Sequence, residues 1–294
     1  MSQQLEKTGS RLSPYSFLIV GLARNCERTI EGDVQRLNQA LKDSRSVSWH
    51  IVESDSSDST LTVLTKLHKT IINFNFISLG NLRDTLSKRT ERISHCRNKY
   101  AAEIKSNPSY QEIDYVIVAD FDGINTSISN LAIESCWIRN DWDMCAANQL
   151  GPYYDIWALR HRDWSPNDCW AQYRFLNKFS LPIEQSLQAS VYARMIKIPV
   201  QNEWIPVDSA FGGLAIYKKQ LFDCCEYKGL DEDGQEVCEH VHFHAVLKAR
   251  GQRLFINPQL INAKYTEHSR PLAWLKTQKR RLKLLIKRFI LRST

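Results

Sequence analysis

Between residues 17 and 119, short unbroken apolar runs alternate with longer stretches in which apolar residues return every three or four positions. Residues 17–22 form a run of strand length, and residues 29–41 follow with helical spacing. The unit repeats: 48–53 reads as a strand, 60–70 as a helix behind a loop rich in capping residues, 74–79 as a short strand and 92–104 as a helix. A further strand, 114–119, closes the series. Strands alternating with helices predict an α/β fold whose parallel sheet is covered on both faces, with ligands at the carboxyl ends of its strands. Further on, 144–148 reads as a strand and 211–217 as an apolar segment entered through two glycines. After these, 237–249 reads as a helix closed by Gly251, and 254–261 as a late strand interrupted by Pro258.

The strand 114–119 runs straight into Asp120-Phe121-Asp122-Gly123. Successive strand side chains alternate faces, so Asp120 and Asp122 are expected to point the same way past the strand's end. Such a pair suits magnesium or manganese, hard cations that bind through one or two carboxylates plus substrate phosphates. An acidic turn is the plainer alternative, because strands often end in Asp. Arg24, after the first strand, and Glu53, at the end of the second, belong to the same sheet edge. A nucleoside-diphosphate sugar needs a base pocket, a cation and positive charge that helps the diphosphate leave. Glu53 suits the base or ribose, and Arg92 and Arg97 supply charge; surface salt bridging is the competing use of these residues. The aromatic residues of 153–157 form either a sugar platform or plain core, and Gly212 and Gly213 allow close backbone approach to a ligand.

With 43% hydrophobic and 24% charged residues among 294, the chain is an ordinary globular one. The polar start, residues 1–15, predicts no signal peptide, and no apolar run reaches membrane-spanning length. Eight irregularly spaced cysteines then read as reduced thiols of a cytoplasmic protein. Cys238, His240, His242 and His244 are either a metal cluster or partly buried polar residues. The net charge of +7 is concentrated in Lys276, Lys279, Arg280, Arg281, Lys283, Lys287, Arg288 and Arg292, which leaves the remainder close to neutral. Leu275, Leu282, Leu285, Ile286 and Phe289 recur among them at helical spacing, so 271–294 is expected to be a basic amphipathic helix. Its expected partner is an anionic membrane surface, ahead of a helix packed on the body or a nucleic acid, for which no motif is visible.

Together the strings VESDSSDST, VADFDG, FGGLAIY and CEH resemble glycosyltransferases of the GT-A fold, over roughly residues 17–268. RISHCRN, VADFDG, YYDIWALR and FGGLAIY are more narrowly similar to the capsule-associated (cryptococcal-type) mannosyltransferase family. Between the polar leader (1–15) and the C-terminal amphipathic helix, the resemblance implies a GT-A domain (16–270) with a single Rossmann-like nucleotide-binding sheet and a mixed acceptor-side region. VADFDG stands as the D-x-D motif, with Asp120, Asp122 and a late His268 as ligands of Mn2+ or Mg2+. Glu53, Arg24, Arg92, Arg97 and Asp120 would hold the nucleotide, Gly212 and Gly213 would line the sugar side, and Asp122 and Glu239 would act in catalysis. Glu239 is followed by His240 where the pattern usually has Asp. The implied activity moves a sugar, mannose by the narrower likeness, from a nucleoside diphosphate to a glycan or lipid-linked acceptor in surface polysaccharide synthesis, on the cytoplasmic face of a membrane. A nucleotidyltransferase and a non-catalytic, membrane-surface carbohydrate-binding protein are the alternatives.

Overall fold

The computed structural model describes residues 9–266 and Ser269; His268 and the expected helix 271–294 lie outside the described residues. In chain order the elements are β1 (Ser16–Ala23), α1 (Ile30–Ala40), β2 (Ser46–Glu53), α2 (Thr60–Thr70), β3 (Phe74–Ser78), α3 (Arg89–Ser106), β4 (Tyr115–Ala119), α4 (Asn130–Glu134), β5 (Met144–Gln149), α5 (Cys169–Asn177), α6 (Ile183–Ser190), β6 (Ile205–Pro206), β7 (Leu214–Lys218), α7 (Glu239–Ala249) and β8 (Leu254–Ala263). All strands join one eight-stranded sheet in the order β3-β2-β1-β4-β7-β5-β8-β6. The α/β class on a single sheet is therefore as expected.

Strand period two divides the sheet's side chains between two layers. Phe17, Ile19, Trp49, Ile51 and Ile117 share a core with Ile30, Val34 and Leu37 of α1 and Leu64 and Leu67 of α2. Leu18, Val20, Val52, Val116 and Val118 face the other way, onto Tyr100, Ala101 and Ile104 of α3 and Phe243 and Leu247 of α7. Burial on both faces explains why these strands read as unbroken apolar runs.

The sheet is parallel on its nucleotide-binding side and mixed beyond it, as the resemblance implies. β3, β2, β1 and β4 are parallel, but β7 runs antiparallel between β4 and β5. β8 pairs parallel with β5 and antiparallel with β6. An apolar run buried on both faces reads alike in either direction, so direction was not in the pattern.

Two boundaries also move. α3 begins at Arg89, one turn before the expected 92, because Glu236 Oε1 accepts from Thr90 N (2.9 Å) and Thr90 Oγ1 (3.2 Å). This cap comes from far along the chain. β8 continues through Pro258, and its register with β5 shifts there; Asn148 Nδ2 donates to Pro258 O (3.0 Å). Among the described residues no helix is long and apolar enough to cross a membrane.

Candidate active site

The carboxyl ends of β1, β2 and β4 open into a cavity of about 400 Å3, within the range of small-molecule sites. The parallel half contributes Arg24, Asp55, Arg89, Arg92, Arg97, Asp120 and Asp122 to its walls. Tyr154, Asp155, Trp157, Phe211, Glu239 and His240 come from the mixed half.

Asp120 sits where β4 leaves the sheet. Its N donates to Gly213 O (3.0 Å), extending the β4–β7 ladder one residue, and its carbonyl accepts from Asn125 Nδ2 (2.8 Å). Asn262 Nδ2 donates to Asn125 Oδ1 (3.0 Å) and to Gly212 O (2.8 Å), and Gln149 Nε2 adds a bond to Gly212 O (3.1 Å). This buried amide network locks Asp120 to the glycine pair. Gly212 and Gly213 have φ of +71° and +81°. A Cβ would lie 2.7 Å from Ala147 O at the first and 2.7 Å from Tyr154 Oη at the second. Both are buried and neither is among the residues lining the cavity. Gly212 N donates to Asp155 Oδ2 (2.9 Å).

Arg97 links the two acidic ends of the cavity. Its Nε donates to Glu239 Oε1 (2.7 Å), NH1 donates to Tyr100 Oη (3.0 Å), and NH2 lies 3.8 Å from Asp120 Oδ1. The guanidinium also lies over the Phe211 ring, 5.4 Å from its centroid. Burial opposes its charge, but Tyr100, Glu239 and Asp120 more than offset this and raise its pKa. Asp120 keeps 37% of its side chain within reach of solvent. Even so, the enclosing walls, with Asp122, Asp155 and Glu239, push its pKa up to about 8 against the pull of Arg97. Burial raises the Asp155 carboxyl as well, although Gly212 N and Ala158 N bond to it.

Arg92 is partly engaged, donating from NH1 to Leu86 O and Ser87 O (both 2.7 Å), with Nε 3.7 Å from Asp55 Oδ2. Arg24 and Arg89 are exposed at the cavity's mouth. Glu53 is at the expected edge but outside the cavity lining. It is 1% exposed, and its carboxylate accepts from Ser56 N (3.1 Å) and Ser78 Oγ (2.5 Å), holding its own loop together. Asp55, two residues on, lines the cavity in its place. Of the aromatic residues at 153–157, Tyr154 and Trp157 line the cavity, whereas Tyr153 is core.

Cys238, His240, His242 and His244 form no metal cluster. His244 is bonded to Ser209 Oγ and Tyr217 Oη, both at 2.8 Å. Among the described residues no group of three His, Cys, Asp or Glu is placed to hold a metal. Asp120 and Asp122 instead offer two carboxylates, one Asp122 oxygen accepting from Ile124 N (3.1 Å). That is the share a protein supplies when phosphates complete a magnesium or manganese site. With Asp155 and Glu239 nearby and Arg97 the counter-charge, the acidic excess fits a cation.

Sequence reasoning did not assign Asp55, Asp155, Arg89 or His240 to the site. Asp155 lies within the YYDIWALR string, where only the aromatic residues were given a role, and the Gly212 N–H that turns it inward is distant in sequence.

No family model and no curated protein matches the chain. Solved structures similar to it include Staphylococcus aureus TarS residues 1–349 in complex with UDP-GlcNAc, at 14% identity and TM-score 0.47, covering 86% of this chain and 59% of that one. The mannosyltransferase PcManGT from Pyrobaculum calidifontis, in complex with GDP-Man and Mn2+, matches at 13% identity and TM-score 0.48, covering 88% and 59%. Glucosyl-3-phosphoglycerate synthase from Mycobacterium tuberculosis with UDP matches at 13% identity and TM-score 0.42, covering 89% and 75%. The chain thus spans about three fifths of the length of the first two.

Proposed function

We propose that the protein is a metal-dependent glycosyltransferase of the GT-A type, which moves a sugar from a nucleoside diphosphate to a hydroxyl of a glycan or lipid-linked glycan. The observation that carries this reading is the joining of Asp120 to Glu239 through Arg97, inside a cavity whose mouth bears Arg24, Arg89 and Arg92. A diphosphate is drawn to the arginines. Asp120 and Asp122, with His268 as the expected further ligand, would hold Mn2+ or Mg2+. The ion, when bound, neutralises the diphosphate and favours its departure.

Around that ion the chain's own residues orient the reaction. Asp55 takes the nucleoside side that Glu53 was expected to serve, while Glu53 shapes the loop. Arg97 holds Glu239 through Oε1 at 2.7 Å, so that the other carboxylate oxygen either positions the acceptor hydroxyl or takes its proton as the new glycosidic bond forms and the bond to the diphosphate breaks. Tyr154 and Trp157 supply apolar faces for sugar rings. The narrower sequence likeness favours mannose as the sugar and surface polysaccharide as the product. The basic residues of 276–292 hold the enzyme on an anionic cytoplasmic membrane face, near a lipid-linked acceptor.

Titration calorimetry with a panel of nucleoside diphosphates, with and without manganese, tests the reading. One member should bind, more tightly with manganese, and Asp122→Ala should remove the manganese effect. Absence of binding by every member refutes it.

A further inference from the structure

His240 lines the cavity and is 2% exposed, yet neither Nδ1 nor Nε2 has a hydrogen-bond partner. One turn along α7, His244 is equally enclosed but bonded at both nitrogens. An unpaired buried imidazole costs free energy that an apolar ring of the same shape would not. Packing holds the ring in place: it stacks on Phe211 with centroids 4.0 Å apart and planes at 22°, and Tyr227 meets it edge-on at 5.7 Å.

The nearest charged partner of Nε2 is Glu239 Oε1, at 3.7 Å, beyond hydrogen-bond length. An oxygen about 2.8 Å from each would close the gap, accepting from the imidazole N–H and donating to the carboxylate. A hydroxyl does both, as a water molecule would, whereas an anion would be repelled by Glu239. Burial, with Arg97 and His244, holds the His240 pKa well below its ordinary value, so the ring is neutral. Glu239 is tied to Arg97, which lies 3.8 Å from Asp120, and all of these line one cavity with His240, so the gap shares that cavity with the carboxylate assigned to the metal and diphosphate. A pyranose attached to that diphosphate is the group that brings a hydroxyl there.

We infer that His240 and Glu239 together bind one hydroxyl of the donor sugar, which makes His240 a specificity-determining residue. The inference rests on the glycosyltransferase reading above. A site built to bond a buried hydroxyl discriminates strongly against ligands lacking it.

The test compares wild type, His240→Phe and His240→Gln by calorimetry, using the nucleoside diphosphate that binds and its hexose conjugates, alongside thermal melting. Phe keeps the stack on Phe211 and removes the hydrogen bonds. It should leave the affinity for the diphosphate within about twofold, weaken the preferred conjugate about tenfold and not lower the melting temperature. Gln, which restores a donor and an acceptor, should recover most of the conjugate affinity. An unchanged ratio of conjugate to diphosphate affinity in His240→Phe overturns the inference. So does a parallel loss of both affinities, or a loss of folding with no recovery in Gln, since either assigns His240 to packing. Failure of every nucleoside diphosphate to bind wild type overturns the function reading instead.

Discussion

Replacing Arg97 with Met should destabilise the protein more than any exposed ion-pair change. The Arg97 and Glu239 side chains are 5% and 7% exposed and meet at 2.7 Å, so the substitution leaves a carboxylate enclosed without its counter-charge. Breaking a buried pair in this way costs about 3–5 kcal/mol. The longer contact to Asp120, at 3.8 Å with that side chain 37% exposed, adds little because solvent screens it. At about 2 °C per kcal/mol for a chain of this size, Tm should fall by about 6–10 °C. Urea unfolding followed by tryptophan fluorescence measures the change directly, with the m-value unaltered. Arg97→Met combined with Glu239→Gln removes the stranded charge, so the double variant should be more stable than Arg97→Met alone by about 2 kcal/mol. An Arg97→Met protein within about 1 kcal/mol of wild type, or a double variant no more stable than the single one, would refute the buried-pair argument.

Burial lowers the His244 pKa to about 3, chiefly by desolvation and then through Arg97. Below the ordinary pKa of about 6.5 the unfolded chain takes up a proton that the folded one refuses, so stability is complete above that pH and is lost as pH falls toward about 3. His244→Gln should flatten the fall between pH 6 and 4 by up to about 1.4 kcal/mol per pH unit; equal slopes in urea titrations would contradict this. Glu236→Ala uncaps α3 and should cost about 1 kcal/mol, while loosening the arginine-bearing first turn enough to weaken nucleotide binding; calorimetry and melting read both. Neutralising Lys279, Arg280 and Arg281 should lower partitioning onto anionic vesicles about a hundredfold, at about 1 kcal/mol each. Equal co-sedimentation of variant and wild type would remove the membrane proposal.

Residue patterning along the chain carries the local structure. The apolar runs at 17–22, 48–53, 74–79 and 114–119 set the strands, and the stripes at 29–41 and 60–70 set the helices, because burial on a sheet face or a helix face imposes a period that composition must follow. That Asp120, Asp122, Arg92 and Arg97 gather at one sheet edge was legible too, since each lies within a few residues of a strand end or on a helix entering that edge. The tertiary structure decided the rest. The direction of β7, the α3 cap from Glu236, the inward turn of Asp155 by Gly212 N and the pairing of Arg97 with Glu239 all join segments distant along the chain. Glu53 and Asp55 show the limit: both are acids in one loop, and only packing determined that the first bonds its own backbone while the second reaches the cavity. His240 and His244 differ in the same way. One helix presents both, and only the neighbours brought by folding leave one ring bonded at both nitrogens and the other without a protein hydrogen bond.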